Sequence, residues 1–251
     1  MARRKKNICW DRAFDCLAIL LVFSCSPPSA FADKTLVPEN RAGYWFISPQ
    51  IGGAIPQPAK STISNSAGPA FSGRQEVNFD SGIILDLVFG HYFTDRLHGT
   101  VKATYSRGIP STISNVSGFS GNPNEGRTIP SAGSGSAIGT SAELRYDFAV
   151  YDNGSRLFAG IGATVVRLTM ENLGPEPSPF HISDSDTAYV FCALAGYSYP
   201  IARNIEFTAQ YTAAQVSATS YTSTIGANTL QVHTNSDLRH LGTIGFRFLF
   251  D

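Results

Sequence analysis

The sequence has no excess of charge of either sign, with 19 Lys and Arg residues against 19 Asp and Glu residues in 251. After residue 6 it has no run of basic residues, so it lacks the electrostatic footprint of a nucleic-acid-binding protein, whose affinity depends on neutralising phosphates. Its longest apolar run is about ten residues, whereas a membrane-spanning helix needs roughly 20. These absences argue against nucleic-acid binding and against a helical membrane protein.

Cysteine is scarce, and three of the four cysteines lie in a segment typical of an export signal. Residues 3–6 are basic, residues 16–25 form a short uncharged core, and Ala30-Phe31-Ala32 fits a signal-peptidase site. We therefore expect residues 1–32 to be a cleaved signal peptide and residues 33–251 to form the mature domain. A lipoprotein signal ending at Cys25 is the alternative. After cleavage Cys192 would be alone, so no intramolecular disulfide is expected.

No stretch has the periodicity of an amphipathic helix, and the mature chain alternates with a period of two instead. In residues 97–107, for example, every second side chain is apolar or small and those between are polar. Each predicted strand is long enough to cross a bilayer when tilted. The eight predicted strands lie near residues 44–54, 82–93, 97–107, 138–148, 156–168, 187–199, 205–215 and 239–250.

The connections between these strands alternate in length. Short connections lie near residues 94–96, 153–154 and 200–204, and long ones span 56–76, 108–136, 170–185 and 217–237. Short turns at one end and long loops at the other are typical of an outer-membrane barrel. The prediction is an all-β, eight-stranded antiparallel transmembrane up-and-down barrel, with both termini in the periplasm and four long loops outside.

Strand register tests this prediction, because directly opposed residues must share a face. A two-residue Asn153-Gly154 turn would place Arg145 opposite Gly162, where a small neighbour leaves room for a charged side chain. A three-residue loop over 94–96 would place Asp86 opposite Thr104 on the inner face. Both hairpins then keep apolar side chains together on the outside.

The inner face predicted by this alternation carries three acids and three bases. An eight-stranded barrel is just wide enough for side chains to fill it, and unpaired charges there would be costly. We expect the charges to pair as a structural polar plug, and a narrow gated conduit is the alternative. The predicted lumenal network consists of Asp86, Lys102, Glu143, Arg145, Glu206 and Arg247.

Three segments carry a resemblance to a known family: Gly90-His91-Tyr92-Phe93, the glycine-rich strand at residues 158–163, and the closing residues 245–250. With the export signal, they make the chain similar to the small OmpA-like outer-membrane β-barrels of Gram-negative bacteria, a class that also resembles Opa-type adhesins. The resemblance implies an outer-membrane location, and we expect no cofactor. It also implies that Phe246, Phe248 and Phe250 are read by the barrel-assembly machinery, although Asp251 departs from the usual terminal aromatic residue.

The long loops and the barrel rim are where the sequence predicts interactions. The loops are rich in Ser, Gly, Asn, Pro and Thr, a composition that favours solvated segments able to contact a host or envelope protein. The first two share Ser-Thr-Ile-Ser-Asn, at 61–65 and 111–115, which is either a coincidence or an extension of the hairpins into a shared sheet. Arg107 and Arg167 fall at the outer rim, where guanidinium groups could bind lipopolysaccharide phosphates or merely snorkel.

A catalytic site has weak support in this sequence. His233 and Ser236 precede the last strand and are candidates for a lipid A- or phospholipid-modifying enzyme, but their spacing differs from a His-x-Ser-Asn motif. His181, Asp184 and Asp186 are weak candidates for a cation site, and we predict no metal. The predicted function is a non-enzymatic structural or surface-interaction role. The alternatives are a lipid-modifying enzyme and a narrow channel for small solutes or hydrophobic ligands.

Overall fold

The computed structural model describes residues 40–55, 57–65, 72–80, 82–117, 126–175, 181–225 and 228–251. The predicted signal peptide and its cleavage site lie outside these residues. Within them every regular element is a β-strand, and none forms a helix long and apolar enough to cross a membrane. The strands are β1 (Trp45–Ala54), β2 (Ala59–Asn65), β3 (Ser72–Phe79), β4 (Ile83–Tyr92), β5 (Leu97–Gly108), β6 (Pro110–Ser117), β7 (Thr128–Val150), β8 (Arg156–Pro175), β9 (Ile182–Ala202), β10 (Ile205–Val216), β11 (Thr219–Ile225), β12 (Asn228–Thr234) and β13 (Asp237–Phe250).

Eight of the strands form a closed antiparallel ring. Their order is β7-β5-β4-β1-β13-β10-β9-β8, and β8 pairs back onto β7. Each coincides with a strand predicted from the alternation, so the predicted eight-stranded barrel is confirmed. The strands β7, β8 and β9 run for 23, 20 and 21 residues, longer than predicted. Their extensions are rich in small and polar residues, which leave little alternation of hydrophobicity to detect.

The β4–β5 hairpin has the predicted register. Leu85 opposes Tyr105 on the outer face, and Asp86 opposes Thr104 on the inner face. The amide of Phe93 donates to the carbonyl of Leu97 across the predicted three-residue loop, at 2.9 Å.

The β7–β8 hairpin differs from the predicted register by two residues. Arg145 opposes Gly160 rather than Gly162, which lies opposite Glu143 instead. The turn is longer than the predicted Asn153-Gly154 pair, because the amide of Tyr151 donates to the carbonyl of Ser155, and the ladder has a further irregularity between residues 147 and 149. A shift of two residues leaves every side chain on its original face, so the predicted inner and outer faces are retained.

Five further strands lie in segments that the sequence predicts as solvated loops. The strands β2, β3, β6, β11 and β12, which we call the outer sheet, continue the barrel beyond its long-loop end in the order β11-β12-β2-β3-β6-β7. The loop prediction is wrong for these segments, because inward-pointing apolar residues of the outer sheet pack together with Leu173 of β8 and Ile182 of β9. This apolar seal consists of Ile63, Val77, Ile113, Leu173, Ile182, Tyr221 and Val232.

The shared Ser-Thr-Ile-Ser-Asn segments form two strands of the outer sheet, β2 and β6, with β3 between them. Ile63 and Ile113 are buried in the apolar seal, whereas Thr62 and Thr112 are only partly covered. Alternating one large apolar residue with small polar ones gives each strand an inner and an outer face. Of the two interpretations that the sequence left open, the structure therefore agrees with the shared sheet rather than with a coincidence of composition.

The outer sheet meets β9 at a seam formed largely by side chains. Asp184 and Asp186 each use one carboxylate oxygen to accept a 2.7 Å hydrogen bond from a backbone amide of β11, at Thr222 and Ser220 respectively. Their other oxygens accept from the next amides of β9, also at 2.7 Å. The two carboxylates thus join the outer sheet to β9. The described residues contain no cluster of His, Cys, Asp or Glu side chains able to hold a metal ion.

The outward face of the eight-stranded ring is a continuous apolar band. Its exposed side chains include Ile51, Leu87, Val101, Ile161 and Phe191, which are 51–68% exposed. A patch of this extent would be unfavourable in water and matches the surface that a membrane barrel presents to lipid. Trp45 stacks on Phe89 near the short turns, with ring centroids 5.2 Å apart, as expected for an interfacial aromatic girdle. Phe246, Phe248 and Phe250 also face outward.

Candidate functional site

The lumen nearest the short turns is filled by buried ions centred on Glu206. Its carboxylate pairs with Arg41, which precedes β1, and with Arg247 of β13 at 3.3 Å. The hydroxyl of Tyr92 accepts hydrogen bonds from both guanidinium groups, at 2.9 and 2.8 Å. Arg41 also donates its backbone amide to Asp95 in the β4–β5 turn, at 3.2 Å. These contacts hold the segment that precedes β1 across the short-turn end of the barrel.

A second group of ions lies beside the first. Arg156, at the start of β8, contacts Asp147 and Asp95 with nitrogen–oxygen distances of 3.1 Å each. The ring of His98 is fully buried beside Asp147, at 3.7 Å, and lies 4.5 Å from the ring of Tyr92. Charged and aromatic side chains therefore exclude open space from this end of the lumen.

Towards the middle of the barrel, Glu143 bridges two cations. Its carboxylate lies 2.5 Å from Arg145 and 3.0 Å from Lys102, and Lys102 also approaches Asp86 at 3.6 Å. Gly162 makes room for this group, since a Cβ there would lie 2.6 Å from Cγ of Glu143. This glycine is required by close approach rather than by its backbone angles.

All six residues of the predicted lumenal network are buried and ion-paired inside the barrel. Four further charged members were not part of the predicted network, although the alternation places Asp147 on the polar face of its strand. Arg41 and Asp95 lie outside regular strands, Arg156 begins a strand, and Asp147 lies at a ladder irregularity. The ten charges balance, five of each sign. We call them the ionic plug: Arg41, Asp86, Asp95, Lys102, Glu143, Arg145, Asp147, Arg156, Glu206 and Arg247.

Between the ionic plug and the apolar seal lies a cavity of about 280 Å³. Its lining is mainly apolar and includes Phe79, Val166, Leu168 and Ala214, with Cys192 on the same wall. Asp86 and Lys102 border the cavity on the plug side, and Val77, Leu173, Ile182, Tyr221 and Val232 border it on the seal side. The Cys192 side chain thus points into the lumen. The cavity itself was missed, because half of its wall comes from segments predicted as loops.

The cavity also contains an ion pair separate from the plug. Arg239 of β13 donates from Nε to a carboxylate oxygen of Asp237, at 3.0 Å. Both side chains line the cavity, and they are 35% and 25% exposed respectively. The guanidinium carbon of Arg239 lies 6.0 Å from the centre of the Phe79 ring. A charged group therefore adjoins an apolar wall.

The predicted rim arginines lie on the outward face of the ring. Arg107 opposes Ile83 on one side and Ser136 on the other, and Arg167 opposes Ile138. Both are exposed, and Arg167 donates two hydrogen bonds to the hydroxyl of Ser185, at 2.8 and 3.2 Å. Contact with lipopolysaccharide stays a prediction.

His233 and Ser236, the weak catalytic candidates, are not joined by a hydrogen bond. His233 lies on β12, and its Nδ1 is 2.9 Å from the hydroxyl of Ser220 on the neighbouring strand β11. Ser236 lies in the short joint between β12 and β13. His233 and Ser220 are exposed on the outer surface, away from the cavity lining.

Comparisons with known proteins identify the architecture. No protein-family model and no curated protein matches the chain, whereas solved structures do. Outer membrane protein OprG from Pseudomonas aeruginosa is 16% identical, covers 84% of this chain and 97% of its own, and has a TM-score of 0.62. Neisserial surface protein A is 15% identical over 83% and 98% (TM-score 0.45), and outer membrane protein AlkL is 15% identical over 84% and 92% (TM-score 0.42).

At this identity the comparison with OprG shows the fold alone. The chain has the fold of a small outer-membrane β-barrel, in agreement with its closed ring and apolar outer band. The resemblance to the OmpA-like class holds for the architecture, and no family model narrows it further. Function has to be argued from the cavity and the groups around it.

Proposed function

We propose that this chain is an outer-membrane barrel that takes small, mainly apolar molecules from outside the cell into its lumen. The observation that carries the proposal is the mainly apolar cavity of about 280 Å³ between the ionic plug and the apolar seal. Small-ligand sites are typically mainly apolar cavities with a few polar groups, starting at roughly 300 Å³. Of the alternatives open from the sequence, a hydrophobic-ligand channel agrees best with this lining.

The ionic plug supports capture rather than free diffusion. Four buried acids, the partly exposed Asp95 and five buried bases fill the lumen from the short-turn end to the middle of the barrel. An eight-stranded barrel is too narrow for an aqueous channel beside them. Breaking a buried ion pair is costly, so these groups resist the passage of water and ions. The plug would let the barrel hold an apolar ligand without making the membrane leaky.

Orientation follows from the lengths of the connections. Outer-membrane barrels have short periplasmic turns and longer external loops. The outer sheet would then stand outside the cell, with the ionic plug on the periplasmic side. The cavity lies where the ring strands meet the outer sheet, since residues of the joints line it, among them Ile55, Asp80 and Ser217. This height is close to the upper edge of the apolar band, where an apolar molecule would gather.

Cys192 provides a direct test. It is the free cysteine of the described chain and lines the cavity, so a bound ligand should slow its modification by N-ethylmaleimide. We expect naphthalene, added to the barrel in lipid nanodiscs, to slow labelling by about tenfold at ten times its dissociation constant. The rate is followed by mass spectrometry. Unchanged labelling at saturating naphthalene would contradict the proposal.

Two matched controls separate lumenal binding from partition into lipid. Ala137 lines the cavity, whereas Ile138 beside it faces outward and is 63% exposed. Ala137→Trp should fill the cavity and abolish the protection, and Ile138→Trp should retain it. Moving the thiol to the outward face, with Cys192→Ala and Ala193→Cys together, measures the effect of naphthalene in the lipid alone.

The other predicted roles rest on different parts of the molecule. A surface-interaction role would use exposed residues of the outer sheet, such as Ser220 and His233, and reading by the barrel-assembly machinery would use the outward-facing Phe246, Phe248 and Phe250. Both are compatible with a ligand in the lumen. Neither accounts for a mainly apolar cavity inside the barrel, so ligand capture is the function that the geometry favours.

A further inference from the structure

We infer that the cavity prefers an uncharged amphiphile with a terminal oxygen acceptor, such as a medium-chain ketone, over a plain alkane or an ionised carboxylate. Arg239 would donate to that oxygen while the alkyl chain lies on the apolar wall. This inference rests on the proposed function and names the ligand class for the same cavity.

The guanidinium of Arg239 has N–H donors that are not used within the described residues. Its side chain points into the lumen from β13, and only Nε has a partner, the carboxylate of Asp237 at 3.0 Å. In the part of the chain that the structure describes, the two terminal nitrogens of the guanidinium donate no hydrogen bond. A guanidinium presents five N–H donors in a fixed fork. Several donors are therefore directed into a space that is otherwise mainly apolar.

Phe79 fixes the place where such a ligand would lie. Its ring centre is 6.0 Å from the guanidinium carbon of Arg239, and both side chains line the cavity. Phe79 also packs against the apolar seal. A ligand whose oxygen reaches Arg239 would therefore bring its alkyl chain against Phe79 and the neighbouring apolar wall.

The charges around Arg239 decide which head group fits. Asp237 already neutralises the guanidinium, and Asp80, a second acid, also borders the cavity. On the plug side, Lys102 is held by Glu143 at 3.0 Å and by Asp86 at 3.6 Å. Arg107 also borders the cavity, but the three bases of the lining, Lys102, Arg107 and Arg239, are matched by three acids, Asp80, Asp86 and Asp237, so the lining has no net positive charge for an anionic ligand. A neutral oxygen can accept a charge-assisted hydrogen bond without adding an uncompensated charge.

The test compares three ligands with eight carbons: n-octane, 2-octanone and octanoate. Each is assayed in nanodiscs by protection of Cys192, with the lipid-facing Ala193→Cys reporter in a Cys192→Ala background as the partition control. For the unaltered barrel we expect 2-octanone to bind roughly tenfold more tightly than n-octane, as a hydrogen bond to a charged donor allows. Octanoate should be the weakest of the three.

Two substitutions make the prediction specific. Arg239→Gln should bring the affinity ratio of 2-octanone to n-octane close to one, whereas Leu238→Ala, at the neighbouring outward-facing position, should keep it near ten. Asp237→Asn should unmask the guanidinium and raise octanoate affinity by about tenfold. The gain in octanoate affinity of the Asp237→Asn variant tests the role of Arg239 even if the Arg239→Gln variant fails to fold.

The outcomes separate this inference from the proposed function. If none of the three ligands protects Cys192, the proposed function is wrong, and the inference is wrong with it. If n-octane and 2-octanone bind equally well, or octanoate binds best to the unaltered barrel, the cavity binds ligands but Arg239 does not select them as argued. A tenfold preference for 2-octanone that Arg239→Gln removes, with the octanoate gain in Asp237→Asn, would support the inference.

Discussion

Glu206 makes the ionic plug a set of mutually dependent residues. It is fully buried, and its carboxylate is the acidic partner of both Arg41 and Arg247. Removing one partner of a buried ion pair leaves an uncompensated charge, at a cost of about 3–5 kcal/mol. Glu206→Gln should therefore destabilise the barrel by about that amount. The measurement is the temperature at which the folded band disappears on gels of unboiled samples.

Glu171→Gln is the matched control for this experiment. Glu171 is exposed on β8 and makes one 3.3 Å hydrogen bond with Ser134, so its loss should change the midpoint little. Equal midpoints for Glu206→Gln and Glu171→Gln would mean that the plug contributes no stability through its ion pairs.

The charged residues of the ionic plug show which lumenal positions can be predicted from the alternation of polar and apolar residues. Glu143, Arg145 and Arg247 could be predicted to lie inside because each stands in phase with small or polar neighbours on a long strand. Arg41 and Asp95 could not be predicted to lie inside, because they lie outside the strands, where side chains do not alternate between two faces. Their partners come from strands far along the chain, and only closure of the barrel brings them together.

At the scale of elements, the seam between β9 and β11 is a substitute for a ladder. Asp184 and Asp186 receive the amides of Thr222 and Ser220 at 2.7 Å, where a neighbouring strand would otherwise supply carbonyls. We expect Asp184→Ala with Asp186→Ala to open this seam. Hydrogen exchange at those two amides should then accelerate by tenfold or more, since bonds to charged acceptors contribute roughly 1.5–3 kcal/mol each.

Amides elsewhere provide the internal control for the seam. The amides of β10, which is paired on both sides by β9 and β13, should exchange at an unchanged rate. Exchange that is equally slow at Ser220 and Thr222 in the altered and unaltered barrels would show that the carboxylates do not hold the seam closed.

Hairpin registers mark the limit of prediction for individual elements. The β4–β5 register was predicted correctly, because the three-residue loop assumed over residues 94–96 is the one that forms. The β7–β8 register was wrong by two, since two registers differing by two residues satisfy the same faces. Only the geometry of the turn separates them, and the Tyr151–Ser155 hydrogen bond is not visible in the alternation.

For the whole molecule, the membrane ring could be predicted from the sequence, whereas the outer sheet was only one of two interpretations of a repeated segment. The ring strands must present an apolar face to lipid, which imposes strong alternation on each of them. The outer sheet has water on its outer surface and needs only one or two apolar side chains per strand inside, as Ile63 and Ile113 illustrate. Its composition therefore resembles that of a loop, and the cavity beneath it could not be predicted from the sequence.

Trypsin treatment of intact cells tests the outer sheet and the orientation together. Lys60 and Arg74 have exposed side chains, but their backbones lie in β2 and β3, each paired on both sides. Arg127 is exposed just before β7 begins. Proteases need a locally unfolded segment, so we expect cleavage after Arg127 and resistance at Lys60 and Arg74. The fragment beginning at Thr128 is identified by mass spectrometry, and Arg127→Gln should leave the chain intact.

Cleavage at Lys60 and Arg74 as well would mean that the outer sheet does not form on the cell. Cleavage after Arg203, in the β9–β10 turn, would reverse the proposed orientation.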